Sequence, residues 1–204
     1  GSTVNAGNGD NSIVGGVNTT ITTGTGRDTI TAGAGDTIKC GAGNDSIIIG
    51  AATDVVVDAG EGKDTITAAG NGASIAAGNG DDVIDLASGA TNATVNAGAG
   101  NDSIRVATTG NQIALGAGTD TVSLGATATA TLSDYAFGTD VIQAANAGRF
   151  LTAVAGLNAT GTADTASKLF GTSGTVSLGS ANTLTVDKTN GFYAAELTNG
   201  DSVQ

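Results

Sequence analysis

Cys40-Gly41-Ala42-Gly43-Asn44-Asp45-Ser46-Ile47-Ile48 decides the fold. It reads x-Gly-x-Gly-x-Asp-x-U-x, where U is a large aliphatic residue. Two glycines one residue apart permit a tight turn with positive φ. An acidic side chain follows two residues after the second glycine. A short β-prone run comes next, with one side chain able to point into a core. A single copy of this phrase means little, so its recurrence carries the argument.

The phrase returns along two thirds of the chain. Gly7-Asn8-Gly9-Asp10-Asn11-Ser12-Ile13 opens the series, with Asn11 at the acidic position. The acidic position then recurs at Asp28, Asp45, Asp64, Asp82, Asp102, Asp120 and Asp140, in steps of 17, 19, 18, 20, 18 and 20 residues. The period is therefore two nine-residue phrases. Degenerate copies lie between, such as Gly70-Asn71-Gly72-Ala73-Ser74-Ile75. They keep the aliphatic residue and mostly lose the Asp, although Asp36 and Asp54 remain.

If each phrase is one turn plus one short strand, two phrases make one coil of a flattened solenoid. Complete motifs then share one edge and degenerate motifs the other. This predicts an all-β, right-handed parallel β-roll over residues 1–142. Its strands stack as two parallel sheets, with a rise of about 4.8 Å per coil. The inward residues are predicted to be Ile13, Ile21, Ile30, Ile38, Ile47, Ile66, Ile75, Ile84, Val95, Ile104, Ile113 and Val122, with a rung supplied from Val55 to Val57. That is one aliphatic stack per sheet, a thin core in which each coil depends on its neighbours.

Composition changes near residue 133. All six aromatics lie beyond it. Residues 1–142 hold 15 acidic and 4 basic side chains, whereas residues 143–204 hold 4 and 3. The tail is expected to be a mixed helix and strand cap or association segment. Phe150, Leu151, Val154 and Leu157 have helical spacing, which predicts a helix over Ala144 to Leu157, with another turn at Thr165 to Phe170. Thr175–Leu178, Thr183–Asp187 and Phe192–Leu197 read as strands, with hairpin signals at Asn190-Gly191 and Asn199-Gly200. The chain opens Gly1-Ser2 without a Met and reads as a piece of something larger.

The 204-residue chain carries a net charge of −12 and has no His, Pro, Met or Trp. That charge argues against nucleic acid and anionic membrane surfaces as partners. No apolar run reaches the length of a membrane span, so no membrane insertion is expected. Without His there is no Ser-His-Asp or Cys-His chemistry, and no Walker or zinc-protease motif occurs, so no enzyme activity is expected. The lone Cys40 fits a small buried residue in the variable first motif position. What remains is the column of carboxylates. Carboxylate and carbonyl oxygens in a flexible set suit Ca²⁺ better than Zn²⁺ or Mg²⁺.

These phrases resemble the haemolysin-type calcium-binding nonapeptides of the repeats-in-toxin (RTX) family, Gly-Gly-x-Gly-x-Asp-x-U-x. The resemblance covers about residues 3–142. It implies several calcium ions between same-edge turns of successive coils. The implied carboxylate ligands are Asp28, Asp45, Asp64, Asp82, Asp102, Asp120 and Asp140, with Asn11 at the first position. The implied carbonyl turns are those of Gly24 and Gly26, Gly41 and Gly43, Gly60 and Gly62, Gly78 and Gly80, Gly98 and Gly100, and Gly116 and Gly118. The chain departs from the family where its first Gly is replaced by Ala6, Thr23, Cys40, Ala59, Ala77, Ala97 and Leu115. With the second edge degenerate, one column of roughly half a dozen ions is expected.

The family likeness further implies a protein secreted by bacteria, unfolded until it meets calcium. The composition resembles RTX-type S-layer proteins and surface adhesins. That makes a structural role at the cell surface the leading expectation, with self-association or cell-surface polysaccharide as partners. The alternatives are an accessory module of a secreted enzyme or toxin, and an adhesin or ice-binding solenoid. The rows between the glycines and before the Asp are interrupted by Glu61, Arg27, Lys63 and Asp81, which disfavours ice.

Overall fold

The computed structural model describes residues 1–125, 127–136, 139–144, 153–154, 174–178, 182–189 and 192–197. Turn and strand alternate along it as the nine-residue phrase requires. Up to Val154 consecutive strands within the roll go to opposite sheets, so a strand pairs with the strand two further along.

One sheet stacks Thr3–Gly7, Thr20–Thr23, Thr37–Ala42, Val56–Glu61, Ser74–Asn79, Thr94–Ala99, Asn111–Ala117, Ala130–Leu132 and Ala153–Val154. The other stacks Ser12–Val14, Thr29–Thr31, Ser46–Gly50, Thr65–Ala68, Val83–Leu86, Ser103–Val106, Thr121–Leu124 and Val141–Ala144. Every pairing within these two sheets is parallel. The architecture is a parallel β-solenoid of about eight coils, as the period predicts.

The predicted aliphatic stack lines the interior. From Ile21 to Val122 its members are 0–2% exposed. Ile13 is only half-buried, because its coil is the first and has a neighbour on one side. Val57 takes the rung left open between Ile38 and Ile75. Val55 is also buried.

The core is thicker than one stack per sheet. Two residues further along the first sheet, Cys40, Ala59, Ala77, Ala97 and Leu115 form a second buried column. Opposite them, Ile49, Ala68, Leu86, Val106 and Leu124 do the same in the second sheet. The first of these columns occupies the motif position where the family has its first Gly. That position points inward here, and a side chain there fills space that Gly would leave empty. This also accounts for Cys40, a fully buried thiol whose pKa is pushed up by that burial and by the Asp45, Asp64, Asp28 and Asp58 carboxylates.

Outward positions form straight rows at the strand spacing. On the second sheet one row runs Ser12, Thr29, Ser46, Thr65, Val83, Ser103, Thr121 and Val141, without a charge. Two residues on, Asp85 and Arg105 stand on adjacent rungs and form an ion pair at 2.6 Å.

Beyond residue 142 the outcome is mixed. Ala144 ends a strand, and Ala153–Val154 pairs in parallel with Ala130–Leu132 as a further rung. At these positions strand replaces the expected helix. The spacing of Phe150, Leu151, Val154 and Leu157 does not separate a helix from a strand that continues the coil. The rest of that stretch, and Thr165 to Phe170, lie outside the described residues. Gly174–Leu178, Asn182–Thr189 and Phe192–Leu197 form a three-stranded antiparallel sheet, close to the strands read from the sequence.

Ile66→Ala should destabilise the roll by about 2–5 kcal/mol, since Ile66 is fully buried and its neighbours cannot collapse onto the gap. The outward Val83→Thr should change stability by no more than about 0.5 kcal/mol. Thermal unfolding of the two variants side by side checks the assignment of inward and outward faces.

Candidate metal centre

The complete motifs meet on one edge. Their turns are held by glycines because the coils approach too closely for a side chain. At Gly43 (φ +153) and Gly62 (φ +127) a Cβ would fall well inside 3.0 Å of a carbonyl oxygen of the preceding turn, that of Gly26 and Gly43 respectively. The same holds at Gly80, Gly100 and Gly118. Carbonyl oxygens of successive turns are thereby stacked along the edge.

This stacking puts the Asp side chains between coils. Asp28, Asp45, Asp64, Asp82, Asp102 and Asp120 are 0–2% exposed, and Asp140 is 7% exposed. Each Oδ1 reaches the coil before it. Backbone N–H groups donate from Asn11 to Asp28 at 2.8 Å and from Asp28 to Asp45 at 2.7 Å. They continue from Asp45 to Asp64 at 2.8 Å and from Asp64 to Asp82 at 2.7 Å. The ladder ends with Asp82 to Asp102 and Asp102 to Asp120, both 2.8 Å, and Asp120 to Asp140 at 3.1 Å.

The second oxygens are different. Oδ2 of Asp28, Asp45, Asp64, Asp82, Asp102 and Asp120 is buried and has no hydrogen-bond partner. Buried polar atoms are nearly always paired, and a charged one without a partner is costly. Six such atoms in register are not a packing accident.

Electrostatics records the cost. Burial, the largest cause, raises the Asp64, Asp82 and Asp120 carboxyls to about 6 and raises Asp45 and Asp102 as well. The backbone N–H bonds oppose the rise. Neighbouring carboxylates add to it, such as Asp45 beside Asp64 and Asp64 beside Asp82.

The two ends of the column depart from the pattern. Asn11 presents an amide whose Nδ2 donates within its own turn and to Asp28. Asp140 has its Oδ2 taken by the N–H of Ala136 at 2.7 Å, and the Tyr135 hydroxyl donates to its carbonyl at 2.9 Å. These end contacts were not visible in the repeat pattern, because Ala136 and Tyr135 lie in the loop before a half motif.

The degenerate edge carries no comparable column. Both oxygens of Asp36 are satisfied, by the N–H groups of Thr19 at 2.6 Å and Gly33 at 2.7 Å. Asn111 does a similar task with an uncharged amide, accepting from the N–H of Ala93 and donating to Thr108. Asp54 is exposed. Beside the first edge, Asp10, Asn44, Asp81 and Asn101 accept from backbone N–H groups one coil on. Arg27 pairs with Asp10, and Lys63 pairs with Asp81 at 2.6 Å. Of the charges that interrupt these turn rows, Arg27 and Lys63 thus pair with aspartates across coils.

Among the described residues no three His, Cys, Asp or Glu side chains converge on one point. Carboxylates arrive one per coil, so any cation between coils must complete its shell with turn carbonyls. That all-oxygen, partly anionic donor set fits a hard, flexibly coordinated divalent ion, calcium above magnesium, and does not fit zinc. The fold and this edge together define a calcium-type parallel β-roll.

The family model described as the RTX calcium-binding nonapeptide repeat (4 copies) matches residues 15–47, 41–72 and 88–122. Over those residues the roll carries RTX calcium-binding nonapeptide repeats. No curated protein and no solved structure matches it. Among the described residues no helix is long and apolar enough to cross a membrane.

The raised carboxyls fix a sign for pH dependence. An Asp with a folded-state pKa near 6 and an ordinary unfolded value near 4 binds its proton more tightly in the fold. Its contribution is fully present below about pH 4 and is lost as pH rises through about 6. The calcium-free roll should therefore gain stability between pH 7 and pH 4, opposite to ordinary acid denaturation. Denaturant unfolding in chelator across that range checks it.

Proposed function

We propose that this chain is a structural calcium-binding domain of a secreted bacterial cell-surface protein, S-layer-like, which folds and assembles on binding Ca²⁺. The observation that carries the calcium reading is the register of six buried, unpartnered carboxylate oxygens along one edge. Asp28, Asp45, Asp64, Asp82, Asp102 and Asp120 are its proposed carboxylate ligands. Asp140 is set apart, since Ala136 already occupies its second oxygen. The turns at Gly24 and Gly26 through Gly116 and Gly118 supply carbonyls, with the ions in one column along that edge.

In this reading each residue acts by position. The glycines let turns stack closely enough for one ion to be shared by two coils. The backbone N–H ladder fixes each Oδ1, leaving Oδ2 as the oxygen that turns to the metal. Bound calcium neutralises the column, so binding and folding are one process. Residues 1–142 are the proposed calcium unit and residues 143–204 the association segment. The uncharged row from Ser12 to Val141 supports a role in lateral contacts. Flat rows of small hydroxyl and β-branched residues suit packing of rods against a copy or a polysaccharide.

Two measurements test this. Far-ultraviolet circular dichroism should show strand content in millimolar calcium and its loss in chelator; equal strand content in both would sink the calcium reading. Electron microscopy of the loaded chain should show ordered sheets or filaments that dissolve in chelator. Calcium-loaded chains that stay monomeric at every concentration would remove the assembly half. Asp45→Asn keeps an acceptor for the Asp28 N–H but deletes a charge. It should stabilise the calcium-free state and weaken calcium binding by about tenfold or more, ~1.4 kcal/mol.

A further inference from the structure

The first rung of the column is built differently from the others. Asn11 occupies the motif position that is Asp in every later complete turn. Its Nδ2 donates to the carbonyl of Gly9 at 2.7 Å, to the carbonyl of Gly7 at 3.2 Å and to Oδ1 of Asp28 at 3.0 Å. The orientation of the amide follows from these partners. Turned over, it would set Oδ1 against three acceptors with no proton between them. The three oxygens are two turn carbonyls and the carboxylate of the next coil, the same kinds that the later turns offer to a cation. An Asp there has no proton to give.

We propose that the Asn11 amide is a built-in substitute for calcium, which closes the N-terminal end of the column and leaves that rung metal-independent. This rests on the calcium reading above. The far end has a matching device in different atoms. The Ala136 N–H takes Oδ2 of Asp140, and Tyr135 donates to the carbonyl of the same residue. Calcium is therefore confined to the interior rungs, from Asp28 to Asp120, where the carboxylate oxygens have no protein donor. A terminal ion would lie between the second coil and an end coil that itself has a neighbour on one face only, and would exchange readily with solvent. An amide proton at the same place is lost to neither chelator nor dilution. The end coil, which has a neighbour on one face, is the coil that most needs such a fixed contact.

The test is Asn11→Asp in the full chain, with calcium alone as the probe. Equilibrium dialysis should show one more calcium ion per chain than wild type. The thermal midpoint should fall below wild type in chelator and recover to wild type or above in saturating calcium. An unchanged ion count, or a midpoint lowered equally in both conditions, overturns the inference. Asn11→Ala is the second variant. It should leave the ion count unchanged and lower the midpoint by the same amount with and without calcium. Loss of one ion on that substitution would show that Asn11 is itself a ligand and would overturn the inference. A wild-type chain that takes up no calcium overturns the calcium reading itself, whereas normal uptake by wild type with no gain in Asn11→Asp overturns this inference alone.

Discussion

A carboxylate between two backbones has two oxygens to satisfy, and this roll satisfies one of them. The N–H ladder from Asn11 to Asp120 answers every Oδ1, and six Oδ2 atoms are left. Neighbouring charges at the spacing of stacked strands repel by roughly 3 kcal/mol at an effective dielectric of about 20. The hydrogen bonds that fix the carboxylates therefore also concentrate charge that the protein cannot neutralise. The solenoid is held in register by a feature that is unfavourable until a cation arrives.

The glycines are the other half of that constraint. Backbone carbonyls can complete a cation's shell only if turns stack within van der Waals contact. At Gly43 and Gly62 nothing larger than a hydrogen fits over the preceding turn's carbonyl. The positive φ angles that glycine allows there make the turn, and the missing Cβ makes the stack. The two demands fall on one residue, which is why both glycines of the turn persist while the inward position before them takes Ala, Cys or Leu.

The period of the Asp positions was enough to read the coil, the two sheets and the edge on which the carboxylates gather, because each coil repeats one environment and errors do not accumulate. The second buried column was hidden in plain view. Ala59, Ala77, Ala97 and Leu115 read as departures from a family glycine, whereas in the fold they are core residues. The direction of the carboxylates was not legible either. A motif gives the spacing of Asp residues but not which coil accepts which N–H. The ends were least legible of all, since Asn11 and the Ala136 cap each occur once and no repetition marks them. In the tail, helical spacing around Val154 was outweighed by pairing with Ala130–Leu132, a long-range contact that local periodicity does not encode.

The side-chain sizes along the second column show which coil draws least on hydrophobic packing. Cys40 stands near one end and Leu115 near the other, while Ala59, Ala77 and Ala97 fill the middle, facing a column that includes Ala68. A buried Ala contributes far less apolar area than a Leu. From Cys40 to Leu124 the coil of Ala59 and Ala68 has the smallest pair of side chains in these two columns, since Leu86 and Val106 face Ala77 and Ala97, and its Asp64 carboxyl is one of those raised to about 6. At the two ends the Asn11 amide and the Ala136 N–H donate to the column's terminal carboxylates. A roll built this way has hydrogen-bonded ends and one thinly packed coil between them. On the proposed calcium reading, removal of the ions should loosen that coil as early as the ends, whereas a solenoid whose coils are equally stable frays from its ends alone.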